Sequence, residues 1–554
     1  MSTPSEQPEP SAQARLAQIA TAVLVVVFAL VVLRTAWLSE DAYFTYRSVE
    51  NWVHGHGARW NVLERVQVYT HPLWFGLMSA LYFVTRHMAA SAFALCFSCT
   101  GATVYVLVRH ARGSWGAAAL AMGVLIASKA FTDYSTSGLE NPLSHLLLVA
   151  LFARFWADEE LGMGQGGERR LVTTWLLGGL LVCNRMDLGL ILVPALIYSL
   201  WPPRLKLRRI LAIGLGFAPL IVWELISLVY YGFLVPNTAY AKLGSGIPSE
   251  LLIEQGHRYF ANSIDWDPIT LSCIALVSLL GLLQLRTRPR QACAALGVLL
   301  YLAYVRKIGG DYMSGRFFTA PLVVSAALIA NWKLETKPAK IAAGVGGVAT
   351  VVLAFLAPNP TLLAGADYTD HMLLDDQRVD DERGYRHFNA GLISTREVEF
   401  LHNSGWYQQG LRDRRIAAKR KHMILRLRHN GGYMGYAAGP MVHYVNSYAI
   451  TDPLLARLPG SFQAAGHIAR HIPRGYLNEI KGKGEIPHPE LAAYWDELLL
   501  IIRGPIWSRA RWGAIWRMHN GESQELIETY LEDYRAELRE AAKQPPTVQL
   551  KLSK

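Results

Sequence analysis

The sequence predicts a polytopic α-helical membrane protein that ends in a soluble α+β domain. Of its 554 residues, 52% are hydrophobic and only 18% are charged, which is too apolar for an ordinary soluble protein. The apolar residues form long blocks over 16–357, whereas 358–554 has the mixed composition of soluble sequence. We therefore expect a membrane domain over 16–357, an extracytoplasmic domain over 358–554, and a disordered cytoplasmic tail over 1–15.

Eleven apolar segments are candidate crossings of the membrane. They are 16–38, 90–108, 115–131, 142–156, 171–183, 187–201, 210–231, 269–285, 291–305, 317–331 and 341–357. Basic residues concentrate in alternate loops between them, for example at Arg109 and Arg112. Because cytoplasmic loops are enriched in Lys and Arg, we place these loops and the N-terminus in the cytoplasm. The segment 72–84 is short and begins at Pro72, so we expect it to lie along the membrane interface.

Several classes of function lose support at this stage. The net charge of +11 is explained by the basic loops, so we expect no nucleic-acid partner. All five cysteines lie in apolar segments, which leaves no disulfide framework and no cysteine-based zinc site. Walker A, GxSxG and HExxH motifs are absent, so soluble NTPase and hydrolase chemistry has no support.

The loop at 39–89 is the most densely polar part of the membrane domain. It opens with the adjacent carboxylates Glu40 and Asp41 and continues with Arg47, Tyr69 and His71. The carboxylates have an alternative role, since acidic residues also favour a helix N-terminus. Tyr69 and His71 are either interfacial aromatic residues or part of an acceptor site. We interpret 39–89 as a catalytic extracytoplasmic loop with interfacial helices.

Further polar residues occur in the later loops that are predicted to face the same side. Arg185 and Asp187 lie inside an apolar block, where they either form an ion pair that closes a turn or mark a site. Glu140 is a candidate helix cap or cavity residue, and Asp311 is a candidate ligand for a sugar hydroxyl or a divalent cation. The basic residues Lys242, Arg306 and Lys307 lie where the positive-inside rule disfavours them, and Arg316 follows on the same side.

This concentration predicts a single extracytoplasmic site for group transfer. No nucleotide sugar is supplied outside the cytoplasmic membrane, so the donor must already be in the lipid, and a polyprenyl-phosphate sugar carries its own leaving group. Transfer then needs a carboxylate base and cations that hold the phosphate. We assign Asp41 as the base, with Glu40 tuning it, and Lys242, Arg316, Arg306 and Lys307 to the phosphate.

The motifs together resemble the GT-C superfamily, and within it the AftB-type arabinofuranosyltransferases. The resemblance rests on EDAYFTYRSVENWVHGHGARWNVLERVQVYTHPLW, then on TSGLEN, NRMD, PNTAYAK and GGDYMSGRF, and finally on GYMGYAAGP, ITDPLLARLP and GHIAR, spread over about 16–475. It implies a GT-C fold, a polyprenyl-phosphate arabinofuranose donor and an extracytoplasmic glycan or glycoprotein acceptor. By match, Asp41 takes the catalytic role.

The resemblance also adds residues to the candidate site and contains departures. Asn237 in PNTAYAK joins Arg47, Tyr69, His71, Glu140, Arg185, Asp187 and Asp311 as a candidate substrate-binding residue. Glu40 stands where an Asp is usual, and Asn446 stands where relatives often have Asp, which puts a binding role for the C-terminal domain in doubt.

A multi-pass enzyme of the bacterial cytoplasmic membrane, with its C-terminal domain outside, is therefore the leading hypothesis. The alternatives are a non-catalytic envelope-assembly protein and a lipid-linked sugar transporter, although the sequence has no internal repeat of the kind that transporters show. We expect no required cofactor and no metal site. A divalent cation near Asp41 or Asp311 stays an option, because metals assist phosphate leaving groups.

Overall fold

The structure, a computed structural model, describes residues 12–111, 114–160, 167–201, 206–364, 378–394, 404–429 and 431–542. Most of the predicted N-terminal tail and Arg112 lie outside these residues. The end of that tail, however, belongs to the first helix, which begins at Ala12 instead of residue 16.

The described residues between 12 and 356 are mainly helical. The helices are α1 (Ala12–Arg34), α2 (Ala42–Val53), α3 (Pro72–Thr85), α4 (Met88–His110), α5 (Trp115–Ala127), α6 (Lys129–Asp133), α7 (Asn141–Glu160), α8 (Gly167–Asn184), α9 (Gly189–Leu200), α10 (Leu207–Gly216), α11 (Ala218–Tyr230), α12 (Asn237–Leu243), α13 (Ser249–Trp266), α14 (Pro268–Leu283), α15 (Pro289–Lys307), α16 (Thr319–Ala330) and α17 (Lys337–Leu356).

The predicted helical fold class is confirmed, and each of the eleven apolar segments coincides with a helix or, for 210–231, with the bent pair α10 and α11. Among the described residues, three helices are long and apolar enough to cross a membrane alone: Arg15–Arg34, Met88–His110 and Lys337–Leu356. That number reaches five if each of two bent pairs forms one crossing. The protein is thus a multi-pass membrane protein, and eleven crossings stay a prediction.

Proline residues account for both bent pairs. Pro219 lies in the first turn of α11, and the axes of α10 and α11 differ by 57°. Pro268 begins α14, whose axis turns by 110° from that of α13. Because proline lacks an amide hydrogen and clashes with the preceding turn, it begins a helix well but does not continue one.

The C-terminal part is also mainly helical, with two small sheets. Its helices are α18 (Glu382–Ala390), α19 (Gly405–Arg420), α20 (Gly432–Ala438), α21 (Tyr476–Ile480), α22 (Pro489–Arg503), α23 (Arg509–Asn520), α24 (Glu522–Glu525) and α25 (Glu528–Ala542). Strands β1 (Ile424–Arg428) and β2 (Val442–Asn446) pair in parallel, and β3 (Ser461–Ala464) and β4 (His467–Ala469) pair antiparallel. The strand expected in MVHYVNSYAI is present as β2, whereas a separate α+β domain over 358–554 stays a prediction.

One end of the helix bundle is formed by loops that are far apart in sequence. The main-chain amide of Ser39 donates to Ser137 O over 2.8 Å, and Tyr46 Oη donates to Gly138 O over 2.9 Å. Gly138 has a φ of +77°, and a Cβ at this position would lie 2.9 Å from Leu38. Only glycine combines this backbone conformation with so close an approach, so TSGLEN packs directly on the start of the first loop.

The C-terminal part is bonded to the same end of the bundle. Leu38 N donates to Ala390 O, and Leu392 N donates to Ala36 O. Asp380 forms main-chain hydrogen bonds with Tyr312 and Ser314, and Lys129 forms a buried ion pair with Asp381. These bonds fix α18 against the loops that leave the membrane domain, so both parts of the chain contribute to that end.

Arg47 is one of the buried links between the two parts. Its side chain is 1% exposed, and it donates to the main-chain oxygens of Trp60, Gly435 and Val442 over 2.7–2.9 Å. Its guanidinium also stacks over the Trp60 ring. Arg47 therefore has a structural role, in which it links the first loop to the C-terminal part. This geometry does not support the substrate-binding role predicted for it.

We expect Arg47→Met to destabilise the protein by on the order of 3 kcal/mol, because buried carbonyl oxygens lose their donors. The measurement is thermal unfolding in detergent, with the exposed Arg258→Met as control, since Arg258 bonds only Glu254 on its own helix. Unchanged unfolding together with weaker substrate binding would return Arg47 to the substrate site.

Candidate active site

Arg316 lies at the centre of a cluster of carboxylates drawn from three loops. Its guanidinium nitrogens lie 3.3 Å from Asp311 Oδ2, 3.3 Å from Glu140 Oε1 and 3.8 Å from Asp41 Oδ2. A buried guanidinium requires such partners because leaving water costs it several kcal/mol. Arg316 therefore holds three acidic side chains at fixed positions around it.

Glu140 connects Arg316 to a second layer of polar groups. Its Oε2 lies 3.3 Å from His71 Nδ1, and its Oε1 lies 3.7 Å from Arg185 Nη1. Although burial raises it, the charges of Arg316, His71 and Arg185 together lower the pKa of Glu140 to about 2. Glu140 is therefore a permanent anion that fixes its three partners.

Arg185 and Asp187 form the ion pair that was one of the two sequence interpretations. Arg185 Nε lies 3.1 Å from Asp187 Oδ1, and Tyr301 Oη donates to Asp187 Oδ2 over 2.9 Å. The pair closes the turn between α8 and α9 and also contacts Glu140. We call Asp41, His71, Glu140, Arg185, Asp187, Asp311 and Arg316 the charged cluster.

Asp41 is the member of the charged cluster that is most open to a ligand. Its side chain is 24% exposed, compared with 4% for Asp311 and 2% for Glu140. Its contact with Arg316 at 3.8 Å is longer than a hydrogen bond. Asp41 therefore keeps lone pairs free to accept a proton, while the same cation stabilises its charge.

Glu40 faces the opposite direction and is buried against the C-terminal part. Its Oε1 has no hydrogen-bond partner among the described residues, and a Cβ at Gly432 would lie 2.6 Å from that oxygen. Burial is the main cause that raises the pKa of Glu40 to about 8, with Asp41 and Glu382 adding to it and Arg386 opposing it. At neutral pH Glu40 is therefore protonated, and the adjacent carboxylates differ in charge.

The structure adds two residues that sequence reasoning missed. Glu382 and Arg386 lie on α18, one turn apart, with Arg386 Nε 3.3 Å from Glu382 Oε2. Arg386 also stacks over the rings of Trp406 and Tyr433. Both residues interact electrostatically with Glu40. No recognisable motif surrounds them, so only the docking of α18 reveals them.

Lys242 and His467 lie on another side of Asp41. Burial lowers the pKa of His467, and the charge of Lys242 lowers it further, whereas Asp41 and Asp311 oppose this effect. His467 packs edge-on against Tyr312 at 4.3 Å between ring centroids. A Cβ at Gly466 would lie 3.0 Å from Lys242 Nζ, so the lysine reaches the β3–β4 turn. The motif GHIAR was the sequence signal for this turn.

Arg306 and Lys307 are not brought to the charged cluster. Both side chains are exposed at the end of α15, and Arg306 Nε donates to His257 Nε2 over 2.6 Å. The proposed phosphate set thus divides into two pairs. Arg316 contacts Asp41 and Lys242 shares the neighbour His467 with Asp41, whereas Arg306 and Lys307 have no interaction with either residue among the described contacts.

Tyr69 and Asn237 have structural partners. The hydroxyl oxygens of Tyr69 and Tyr231 are 2.7 Å apart, and the Tyr69 ring stacks on Phe75. Asn237 Nδ2 donates to the main-chain oxygens of Ala449, Ile450 and Asp452 over 3.0–3.1 Å. Asn237 therefore ties α12 to the C-terminal part. Tyr69 reaches the charged cluster only through a tilted ring contact with His71, at 6.5 Å between ring centroids, among the described contacts.

Searching the described residues for three or more His, Cys, Asp or Glu side chains able to hold a metal ion gives no group. The carboxylates of the charged cluster are occupied by Arg316 and Arg185 instead. A role for a divalent cation stays untested.

Comparison with known proteins supports the resemblance found in the motifs. No family model matches the chain. The terminal β-(1→2)-arabinofuranosyltransferase of Mycobacterium tuberculosis is 28% identical over 331 residues, which cover 52% of this chain and 51% of that protein. The Corynebacterium glutamicum protein of the same name is 28% identical over 327 residues, covering 52% and 46%. The chain thus spans about half the length of the curated relatives it matches.

Solved structures give more distant similarities. ArnT from Cupriavidus metallidurans bound to undecaprenyl phosphate has a TM-score of 0.49 at 13% identity, covering 80% of this chain and 88% of that chain. The Archaeoglobus fulgidus oligosaccharyltransferase has a TM-score of 0.42 at 13% identity, covering 77% and 62%. TM-scores below 0.5 carry no assignment by themselves. The predicted similarity to arabinofuranosyltransferases is confirmed by the two sequence relatives.

The raised pKa of Glu40 predicts a specific pH dependence of stability. The folded state keeps a proton that the unfolded state releases above its pKa of 4.5, so Glu40 makes stability fall as pH rises from about 4.5 to about 8. We expect Glu40→Gln to lose this slope and to melt at a higher temperature than wild type at pH 9. The measurement is thermal unfolding at pH 5, 7 and 9.

Glu254→Gln is the matched control for this prediction, because Glu254 is exposed and paired with Arg258 on one helix. Its unfolding should follow the wild-type pH profile. Parallel profiles for wild type and Glu40→Gln would show that Glu40 is charged in the folded protein.

Proposed function

We propose that the protein is a membrane glycosyltransferase of the GT-C type. It transfers a sugar, arabinofuranose by analogy with its relatives, from a polyprenyl-phosphate donor to a glycan or glycoprotein acceptor. The sequence similarity to two named arabinofuranosyltransferases supports the class of reaction. The observation that carries the proposal is Asp41, a partly exposed carboxylate held beside Arg316 at the end of a membrane domain.

Asp41 is the general base in this proposal. The acceptor O–H gives its proton to Asp41 while its oxygen forms a bond to the anomeric carbon of the donor sugar. The bond from that carbon to the phosphate oxygen breaks, and polyprenyl phosphate leaves with the bonding electrons. A positioned carboxylate contributes about 10²–10⁴-fold to such a step. Glu40 cannot share this role while it is protonated and faces the protein interior.

Positive charge near Asp41 suits the leaving phosphate. Arg316 lies 3.8 Å from Asp41, Arg386 interacts with Glu40, and Lys242 interacts with His467, which also interacts with Asp41. Arg316 already has three carboxylate partners, so its net attraction for a phosphate is partly neutralised. We therefore assign Lys242 the main phosphate contact. Arg316 has a double role: it positions Asp41 and stabilises negative charge that develops on the donor.

The remaining members of the charged cluster act as a support for Asp41. Glu140 and Asp311 contact Arg316 directly, His71 and Arg185 contact it through Glu140, and Asp187 contacts it through Arg185 and Glu140. Their burial fixes Arg316, and the first two loops of the membrane domain become rigid as a result. The site lies in the bacterial cytoplasmic membrane with the C-terminal domain outside, as the distribution of basic loops predicts.

We expect Asp41→Asn to reduce sugar transfer by about 10²-fold or more, because asparagine cannot accept the acceptor proton. The assay follows radiolabelled polyprenyl-phosphate arabinofuranose with purified protein and a glycan fraction of the cell envelope. Glu254→Gln is the control and should transfer at the wild-type rate. Full activity of Asp41→Asn would remove Asp41 from the mechanism.

The two basic pairs give different kinetic predictions. Lys242→Gln should raise the KM for the donor about tenfold or more, because a charge-assisted contact to phosphate is lost. The double change of Arg306 and Lys307 to Gln should leave KM within about twofold, since both side chains point away from Asp41. The reverse result would place the phosphate at the end of α15, as one of the sequence predictions has it.

A further inference from the structure

A long groove runs along the membrane domain on the side formed by α5, α14, α16 and α17. Its volume is about 730 Å³, and its walls are mostly aliphatic, with Leu120, Leu276, Ile329 and Val345 among them. α17 borders the groove but is largely exposed, with only 6% of its apolar window buried. The groove thus separates this helix from the rest of the bundle over much of its length.

The charged lining is confined to one end of the groove, whereas the polar residues elsewhere in the lining, Ser272 and Thr350, are uncharged. Gln284, Thr287, Arg288, Trp332 and Lys333 lie there, where α14 ends and α17 begins, and the lining contains no carboxylate. Neither Arg288 nor Lys333 has an ion-pair partner within the described parts of the chain. The other end of α14 begins beside Asp267, whose Oδ2 accepts from Ala130 N at the end of the bundle that carries Asp41. The cations therefore mark the membrane face opposite the charged cluster.

We propose that this groove binds one anionic phospholipid from the leaflet opposite the charged cluster. The acyl chains fill the aliphatic walls, and the phosphate of the head group lies between Arg288 and Lys333. Basic pockets between membrane helices on the cytoplasmic side bind anionic head groups in this way. Trp332 stands at the same level, where aromatic side chains favour the membrane interface.

Two features favour an anionic phospholipid over a neutral one. The polar end carries two cations and no acid, so a zwitterionic head group would bring its own cation into a positive environment. A half-buried Arg288 also presents a planar donor that suits phosphate oxygens. The lipid would fill the space between α17 and the walls formed by α5, α14 and α16, beside the contacts that α17 already makes with α5 and α14. The inference does not depend on the glycosyltransferase proposal.

The test compares lipid retention by native mass spectrometry. The delipidated full-length protein is reconstituted with equimolar phosphatidylglycerol and phosphatidylcholine. We expect wild type to retain one phosphatidylglycerol with a preference of about tenfold, since each cation near an anionic head group contributes. Arg288→Gln with Lys333→Gln should reduce the preference to about twofold or less.

Matched variants separate this site from general surface charge. Arg286→Gln with Lys340→Gln removes the same charge from neighbouring exposed positions outside the lining, and the preference should persist. Ala349→Trp fills the groove without touching its cationic end, and retention of the lipid should fall. Unfolding temperatures confirm that each variant is folded.

Three results would overturn the inference. They are equal retention of the two lipids by wild type, equal loss in both double variants, and unchanged retention in Ala349→Trp. Displacement of the phospholipid by undecaprenyl phosphate at equimolar concentration would also overturn it, since the groove would then be selective for a polyprenyl chain.

Discussion

The whole candidate site depends on one buried cation. Arg316 is removed from water and must recover that solvation from Asp41, Glu140 and Asp311. Asp41 and Glu140 lie in two separate loops, before α2 and before α7. Asp311 lies in a third loop, between α15 and α16, which also contains Arg316. Satisfying Arg316 therefore brings the loops to one place. The ion pairs that neutralise Arg316 are therefore the same contacts that hold the loops of the site together.

A second constraint comes from the C-terminal part. α18 and the glycine segment at 431–439 lie against the acidic pair and belong to the C-terminal part. Position 432 has no space for a side chain, because a Cβ there would lie 2.6 Å from Glu40 Oε1. This burial separates two adjacent carboxylates into a protonated one and an exposed one. Two neighbouring negative charges would repel, so keeping Glu40 neutral avoids this repulsion, and in our proposal it leaves Asp41 as the base.

The groove and the charged cluster use opposite faces of one bundle. Near Asp41, cations and carboxylates alternate, and every buried charge has a partner or a proton. Arg288 and Lys333 have no ion-pair partner in the described parts of the chain, and a lipid head group supplies the missing charge in our proposal. The difference follows from solvent access, because a half-exposed cation tolerates the lack of a protein partner and a buried one does not.

The sequence by itself determined the helical class and the position of each apolar helix, and it singled out Asp41, Glu140, Arg185 and Asp311, which the structure brings together around Arg316. Hydrophobic length and isolated polar residues within apolar sequence are local signals, so they can be read without a fold. Tertiary structure alone decided that Arg47, Tyr69 and Asn237 form structural hydrogen bonds. It also decided that the side chains of Arg306 and Lys307 are exposed at the end of α15. Finally, it added Glu382, Arg386 and His467 to the surroundings of the acidic pair. These assignments depend on which loops pack together in the fold. The burial that keeps Glu40 protonated arises only from that packing, so the sequence alone does not reveal it.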